Sequence, residues 1–386
     1  MMYLVAVFVL CILIFVHELG HFLLAKWNNV GVLAFSIGFG PILWKKQVGE
    51  TTYSLRIFPL GGFVRMAGDD PRALDPSYSP EESESKPGIE KLDPNEFTEQ
   101  QRAIIKDRNK WFLLKGFWAK FMIVFAGPGF NFIFAILLAI ITVYIYGAAE
   151  PVDKPFIGDV VPNHPAEKAG LKAGDLVKSI NGKEILTWSE LSDTVRKSGG
   201  QKMAILIDRQ ESESATLETL NIEVVAEEDR SGLVNEKERE TGDFYRIGIA
   251  PKFTKIQVSF AEAATTGTFY VWSLTKQTVI GIKGLILGHI SADNIAGPVR
   301  IFEEAGRSAK KGLDALFGFM IFLSISLAVL NLIPIPVLDG GHILFFIIEA
   351  VKGSPISLRV REVANQVGFV LLVGLMLFAI SNDLFR

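Results

Sequence analysis

The chain has 386 residues, 49% of them hydrophobic, with 29 Phe and a mean hydropathy of +0.32. That composition is too apolar for an ordinary soluble protein and reads as a membrane protein carrying a soluble insert. A formal net charge of −3 gives no basic footprint for nucleic acid, and the single Cys11 excludes an intramolecular disulfide without indicating a compartment.

The first apolar run extends from residue 2 to residue 26, and up to Ala25 its ionisable side chains are His17, Glu18 and His21, with Tyr3 and Cys11 set aside. It is apolar on every face and long enough to cross a bilayer. No Lys or Arg precedes it and no cleavage pattern follows, so it is read as a retained first transmembrane helix, not a removed signal peptide. Within it, residues 17–21 spell H-E-x-x-H. On a helix, positions i and i+4 share a face, so His17 and His21 can offer two imidazole nitrogens to one metal ion. Glu18, offset by one residue, can act as general base on a metal-bound water without ligating the metal. Ionisable groups in hydrocarbon are costly and usually mark function. The pattern therefore demands a third ligand from another membrane segment.

A glycine-punctuated stretch follows. Residues 51–58 alternate as a strand, and Pro59-Leu60-Gly61-Gly62-Phe63-Val64-Arg65-Met66 reads as a turn and a second short strand, giving a β-hairpin region over 38–68. Residues 69–109 are rich in Pro, Glu and Ser and read as a flexible, solvated loop. Residues 110–120 mix aromatic and basic side chains in the manner of an interfacial helix. A second span is expected over 121–146. It carries Gly127-Pro128 and Asn131, and the Asn is read as a helix-packing position in preference to a polar contact with the site.

Residues 151–251 form the soluble insert. A strand at 157–161, a short helix from Pro165, a glycine turn, a strand at 176–180 and an Asn181-Gly182 turn precede a longer helix at 188–198 and a strand at 203–208. This succession resembles a PDZ domain, a fold that binds peptides by strand addition. Residues 226–242 are charged and read as a loop, and 245–249 as a closing strand. From 252 to 310 the chain is moderately apolar but interrupted by Lys276, Lys283 and His289, as in an amphipathic helix lying along the membrane surface.

A third span is expected over 316–334 and a fourth over 363–382. Between them lies Asn331-Leu332-Ile333-Pro334-Ile335-Pro336-Val337-Leu338-Asp339-Gly340-Gly341-His342, where a broken helix can line a cavity enclosed by protein. Asp339, in the Leu-Asp-Gly motif at 338–340, is the carboxylate chosen as third ligand; it leaves an open position for water. His342 is its rival at i+3, while His164 and His289 lie outside the membrane segments. Alternating spans put the His end of the first and the Asp end of the third on one side. Lys26, Lys45, Lys46, Lys110, Lys115, Lys120, Lys352, Arg359 and Arg361 flank that side, against Arg307 and Lys310 opposite, which turns the site toward the cytoplasm and the insert outward.

Taken together, His17-Glu18-x-x-His21, Gly127-Pro128-x-x-Asn131, the PDZ-like insert and Asn331-x-x-Pro334-x-Pro336-x-Leu338-Asp339-Gly340 resemble the site-2 proteases, intramembrane zinc metalloproteases, of the bacterial RseP/RasP type with a single PDZ domain. The expected fold is an α-helical polytopic membrane protein of about four transmembrane helices, with a membrane-associated β-hairpin element and an inserted α+β PDZ domain. Its expected parts are an N-terminal membrane half (1–150), the PDZ insert (151–251), an interfacial segment (252–310) and a C-terminal membrane half (311–386). The resemblance implies one Zn2+ on His17, His21 and Asp339, Glu18 as base, and substrate binding by Asn331 and by the hairpin residues Gly61, Gly62 and Phe63. It also implies a multi-pass protein of the bacterial cytoplasmic (inner) membrane, whose partners are the lipid bilayer and single-pass transmembrane substrates of the anti-sigma-factor type, or remnant signal peptides, in regulated intramembrane proteolysis. A non-catalytic membrane PDZ scaffold would leave Glu18 unexplained, and a metal transporter would need neither a base nor a peptide-binding insert.

Overall fold

The computed structural model describes residues 2–70, 97–210, 217–228, 245–290 and 295–385. In chain order come α1 (Met2–Trp27), β1 (Val32–Val48), β2 (Thr51–Met66), α2 (Glu99–Lys106) and α3 (Phe117–Tyr146). They are followed by β3 (Ala148–Pro151), β4 (Ile157–Val160), α4 (Pro165–Lys168), β5 (Leu176–Ile180), β6 (Lys183–Glu184), α5 (Trp188–Arg196), β7 (Lys202–Arg209) and β8 (Glu218–Val225). Next come β9 (Glu227–Glu228), β10 (Tyr245–Arg246), β11 (Ile249–Pro251), β12 (Phe253–Ile256), α6 (Phe260–Ile286), α7 (Pro298–Lys311), α8 (Leu313–Asn331), α9 (Asp339–Lys352) and α10 (Leu358–Leu384). These elements gather into two compact units. The first comprises Met1–Thr142, Gly267–Thr278 and Ile295–Arg386, the second Val143–Thr266 and Val279–Asn294.

Among the described residues, four helices are long and apolar enough to cross a membrane: Leu4–Trp27, Phe117–Tyr146, Leu313–Asn331 and Leu358–Leu384. The chain is an integral membrane protein. In the first unit, Val9 and Leu13 of α1 pack with Ala135, Leu138 and Ala139 of α3, Val271 of α6, and Met320, Ile321 and Ile325 of α8. Lipid tails are as apolar as these side chains, so close approach and buried polar contacts hold membrane helices together. Both occur here. A Cβ at Gly20 of α1 would stand 2.3 Å from the Ala126 carbonyl oxygen of α3, and Ser324 Oγ of α8 donates to the Asn131 carbonyl at 2.8 Å.

The strands of the first unit fold more tightly than a simple hairpin. β1 and β2 pair antiparallel, with Val48 opposite Thr51 at the turn. Residues 34–37 have partners in both 52–55 and 62–65, so β2 doubles around the first half of β1. Gly38, Gly40 and Gly61 take positive φ where the chain reverses. Residues 32–36 are buried, whereas 39–48 are exposed and carry Ile42, Leu43 and Trp44 beside Lys45 and Lys46. Glu50 in the turn pairs with Lys26 and ties the sheet to α1.

Two expectations need correction. Of the loop expected over 69–109, residues 71–96 lie outside the described residues, but 99–106 form α2, started by a capping box between Thr98 and Gln101. Gln101 Nε2 then donates to the Leu33 carbonyl at 3.0 Å, and Ile104 is buried with Leu33, Ala67 and Trp111. The acidic, proline-rich stretch before it masked this short amphipathic turn. The interfacial helix expected over 110–120 is also absent at its start. There the Phe112 N–H donates to the Ala67 carbonyl at 2.7 Å, Trp111, Phe112 and Leu113 are buried, and the helix begins only at Phe117. Their backbone extends the end of β2, a long-range pairing that local composition does not reveal.

The second unit is built on a four-stranded antiparallel sheet ordered β6-β5-β7-β8, with β4 paired to β11 and β9 to β10. Ile157, Val177, Ile180, Leu191, Ile205, Ile207 and Ile247 form its buried core. Asp175, 1% exposed, accepts from Arg209 Nε and Nη2 at 2.7 Å each and from the Lys172 amide at 2.8 Å, which locks the turn before β5. The charged loop expected over 226–242 falls mostly outside the described residues.

Candidate metal centre

The pitch of α1 puts His17 and His21 on one face, with their Nε2 atoms 3.2 Å apart. α3 supplies the opposing wall. Pro128 sits inside this helix, and in the turn before it the Ile123 carbonyl accepts from His21 Nδ1 at 2.8 Å. That bond leaves His21 Nε2 free for a ligand. Gly127 clears the space for both rings, since a Cβ there would stand 2.3 Å from His21 Nε2 and 2.8 Å from His17 Cε1.

The carboxylate arrives from a broken helix. Pro334 and Pro336 follow the end of α8 and cannot continue it. The chain turns through Ile335 N–H to the Ile333 carbonyl at 2.7 Å, and Val337 takes φ +86°, strained for a β-branched residue. α9 then starts with Asp339. Gly340 and Gly341 let its first turn press on the loop: a Cβ at either would lie 2.3 Å from the carbonyl oxygens of Ile333 and Ile335 respectively. Asp339 Oδ2 thereby reaches 3.2 Å from His17 Nε2 and 3.6 Å from His21 Nε2.

His17, His21 and Asp339 form a cluster that could hold a metal ion. Two donors each about 2.1 Å from a tetrahedral zinc stand about 3.4 Å apart, which matches the spacings here. Among the described residues, the buried Asp339 Oδ2 makes no hydrogen bond beyond its approach to the two imidazoles, as befits an atom placed for a metal. The donor set of two imidazoles and one carboxylate suits zinc.

Glu18 is buried, 9% exposed, and within electrostatic reach of His21, His17 and Asp339. β2 crosses directly over it: a Cβ at Gly62 would lie 2.8 Å from Glu18 Cγ and 2.8 Å from the Ser36 carbonyl oxygen. Gly61, at φ +152°, faces the Phe39 ring, and the Phe63 ring carries the Arg56 guanidinium at 5.5 Å. Gly62→Ala is therefore expected to push Glu18 aside and lower any turnover that depends on it about 100-fold, with metal content unchanged. Parallel turnover and metal assays check this. Asn331 ends α8 half-buried and has no hydrogen bond to His17, His21 or Asp339 among the described residues. His342 is not in the cluster and meets Phe345 edge-on, while His164 pairs with Glu227 in the second unit at 2.5 Å.

Asn131 departs from the packing role expected of it. Its Nδ2 lies 3.2 Å from His17 Nδ1, so its side chain meets the site. The available signal was its i+4 spacing from Gly127, which puts the two on the face that meets the histidines.

The family model for Peptidase family M50 matches residues 5–375. The zinc metalloprotease RasP of Geobacillus kaustophilus (strain HTA426) is 32% identical over 418 residues, which cover 96% of this chain and 95% of that protein. The regulator of sigma-W protease RasP of Bacillus subtilis (strain 168) is 31% identical over 422 residues, covering 97% and 96%. The zinc metalloprotease RasP of Bacillus licheniformis is 30% identical over 424 residues, with the same coverage of 97% and 96%.

Proposed function

Because the chain belongs to peptidase family M50, the site-2 proteases, and is a zinc metalloendopeptidase, we propose that it cuts peptide bonds within the transmembrane segments of single-pass membrane proteins. In this reading His17, His21 and Asp339 hold the zinc and Glu18 is the general base. The observation that carries it is the cluster of two imidazoles and a carboxylate built on a membrane-spanning helix, with a buried carboxylate one residue from the first ligand.

Zinc bound there would polarise the scissile carbonyl and lower the pKa of a water ligand to about 7. Glu18 takes the proton of the attacking water and delivers it to the leaving amide nitrogen. Its burial strengthens every charge interaction along that path. A transmembrane substrate hides its carbonyls in its own helical hydrogen bonds, so the segment to be cut must first become extended. Among the described residues, 62–65 have a strand partner, 34–37, on one side only. Their free edge, beside Glu18, would take the extended segment as an added strand, with Gly61, Gly62 and Phe63 along it, and Asn331 is assigned as a second substrate contact. The exposed Ile42, Leu43, Trp44, Ile57 and Phe58 suit immersion of the sheet at the membrane interface.

Residues 151–251 are assigned as a single PDZ domain that filters substrates, between an N-terminal membrane half (1–150) and an interfacial segment (252–310) leading to the C-terminal half (311–386). The catalytic end would face the cytoplasm of a bacterial cell, with the insert outside the inner membrane. A relative named regulator of sigma-W protease supports substrates of the anti-sigma-factor type.

The test uses purified protein in detergent with a single-pass substrate, a zinc chelator and zinc add-back. Chelation should stop cleavage and zinc should restore it. Two Gly→Leu changes in the substrate helix, about 2 kcal/mol of helix stability, should slow cleavage about 30-fold. Cleavage indifferent to chelation would overturn the metal reading; a rate indifferent to helix stability would overturn substrate unwinding.

A further inference from the structure

We infer that Asn131 is the positioning residue for His17, accepting the Nδ1–H of the imidazole and so holding Nε2 toward the metal; this rests on the reading of His17 and His21 as zinc ligands.

Asn131 is fully buried in α3. Its backbone carbonyl is anchored by Ser324 Oγ at 2.8 Å, its Nδ2 lies 3.2 Å from His17 Nδ1, and its Oδ1 is buried with no hydrogen-bond partner among the described residues. A neutral imidazole carries one N–H. In a metal-free site, His17 can keep that proton on Nε2, facing Asp339 Oδ2 at 3.2 Å, while Nδ1 accepts from Asn131 Nδ2. When Nε2 serves as ligand, the proton must sit on Nδ1. Nδ1–H and Nδ2–H would then be two donors facing each other.

A half-turn of the amide removes the conflict, because Oδ1 and Nδ2 exchange places in a group of the same shape. Oδ1, otherwise orphaned, then accepts from His17 Nδ1–H. Either orientation leaves one end of the amide without a partner, so the exchange adds no new orphan. The neighbouring ligand shows the same design, since His21 Nδ1–H donates to the Ile123 carbonyl at 2.8 Å. α3 thus holds both histidines by Nδ1, one through a carbonyl and one through an amide. Gly127, one turn before Asn131, allows the helices close enough for both contacts.

The test compares wild type with Asn131→Leu and Asn131→Asp, both with the same number of side-chain heavy atoms as Asn. Zinc affinity is measured by competition with a chromophoric chelator, cobalt coordination by its visible absorption, and folding by melting of the metal-stripped protein. Asn131→Leu should bind zinc about 10- to 100-fold more weakly while its metal-free melting holds or rises. Asn131→Asp, still an acceptor, should retain at least the wild-type affinity and the wild-type cobalt spectrum. Undiminished affinity in Asn131→Leu, or equal loss in both variants together with lower metal-free stability, would overturn the inference alone. A wild type without stoichiometric zinc would overturn the ligand reading and the inference with it.

Discussion

Replacing Glu18 by Gln is expected to lower turnover about 1,000-fold while zinc stays bound at the wild-type level. Gln keeps the volume that β2 leaves over this side chain, where Gly62 lies against Glu18 Cγ, so the surrounding packing should not change. What Gln lacks is the ability to take and return a proton. Glu18 is not part of the cluster of His17, His21 and Asp339, so its loss removes no donor from the proposed ligand set. Cleavage of a single-pass test substrate and metal analysis of the same preparation read both arms. Activity within tenfold of wild type would remove Glu18 from the role of base, and loss of zinc would make it a ligand. A scaffold or a transporter would be nearly indifferent to the change.

Asp339→Ala should have the second large effect, with zinc affinity weakened more than about 100-fold and cleavage lost with it. The carboxylate supplies the third corner of the cluster, 3.2 Å and 3.6 Å from the two imidazole nitrogens. Two neutral imidazoles alone give neither the charge nor the coordination that zinc sites use. The change should do little damage to the fold, because Gly340 and Gly341 shape the start of α9 and remain. His342→Ala is the control and should keep its zinc, since His342 stands outside the cluster. Zinc retained in Asp339→Ala but lost in His342→Ala would reverse the assignment.

Much of this was legible in the residues, for a local reason. Helix pitch pairs His17 with His21 whatever surrounds them, hydropathy over some twenty residues marks the four apolar helices, and Pro334 with Pro336 announces a break before Asp339. These are properties of neighbours along the chain.

The rest depended on contacts between distant residues. That residues 34–37 are flanked by both halves of β2, that Gly62 covers Glu18, that the backbone of Phe112 extends the sheet and that Asn131 meets His17 instead of merely packing all follow from tertiary structure. In hydrocarbon one apolar helix face serves about as well as another, so composition does not say which helices touch or at what height. Here close approach at Gly20 and Gly127 and the turn forced on 334–338 decide it, and they bring Asp339, and not His342, to the two histidines. Sequence alone thus determined the chemistry available to this protein; which residues share one site was decided by packing.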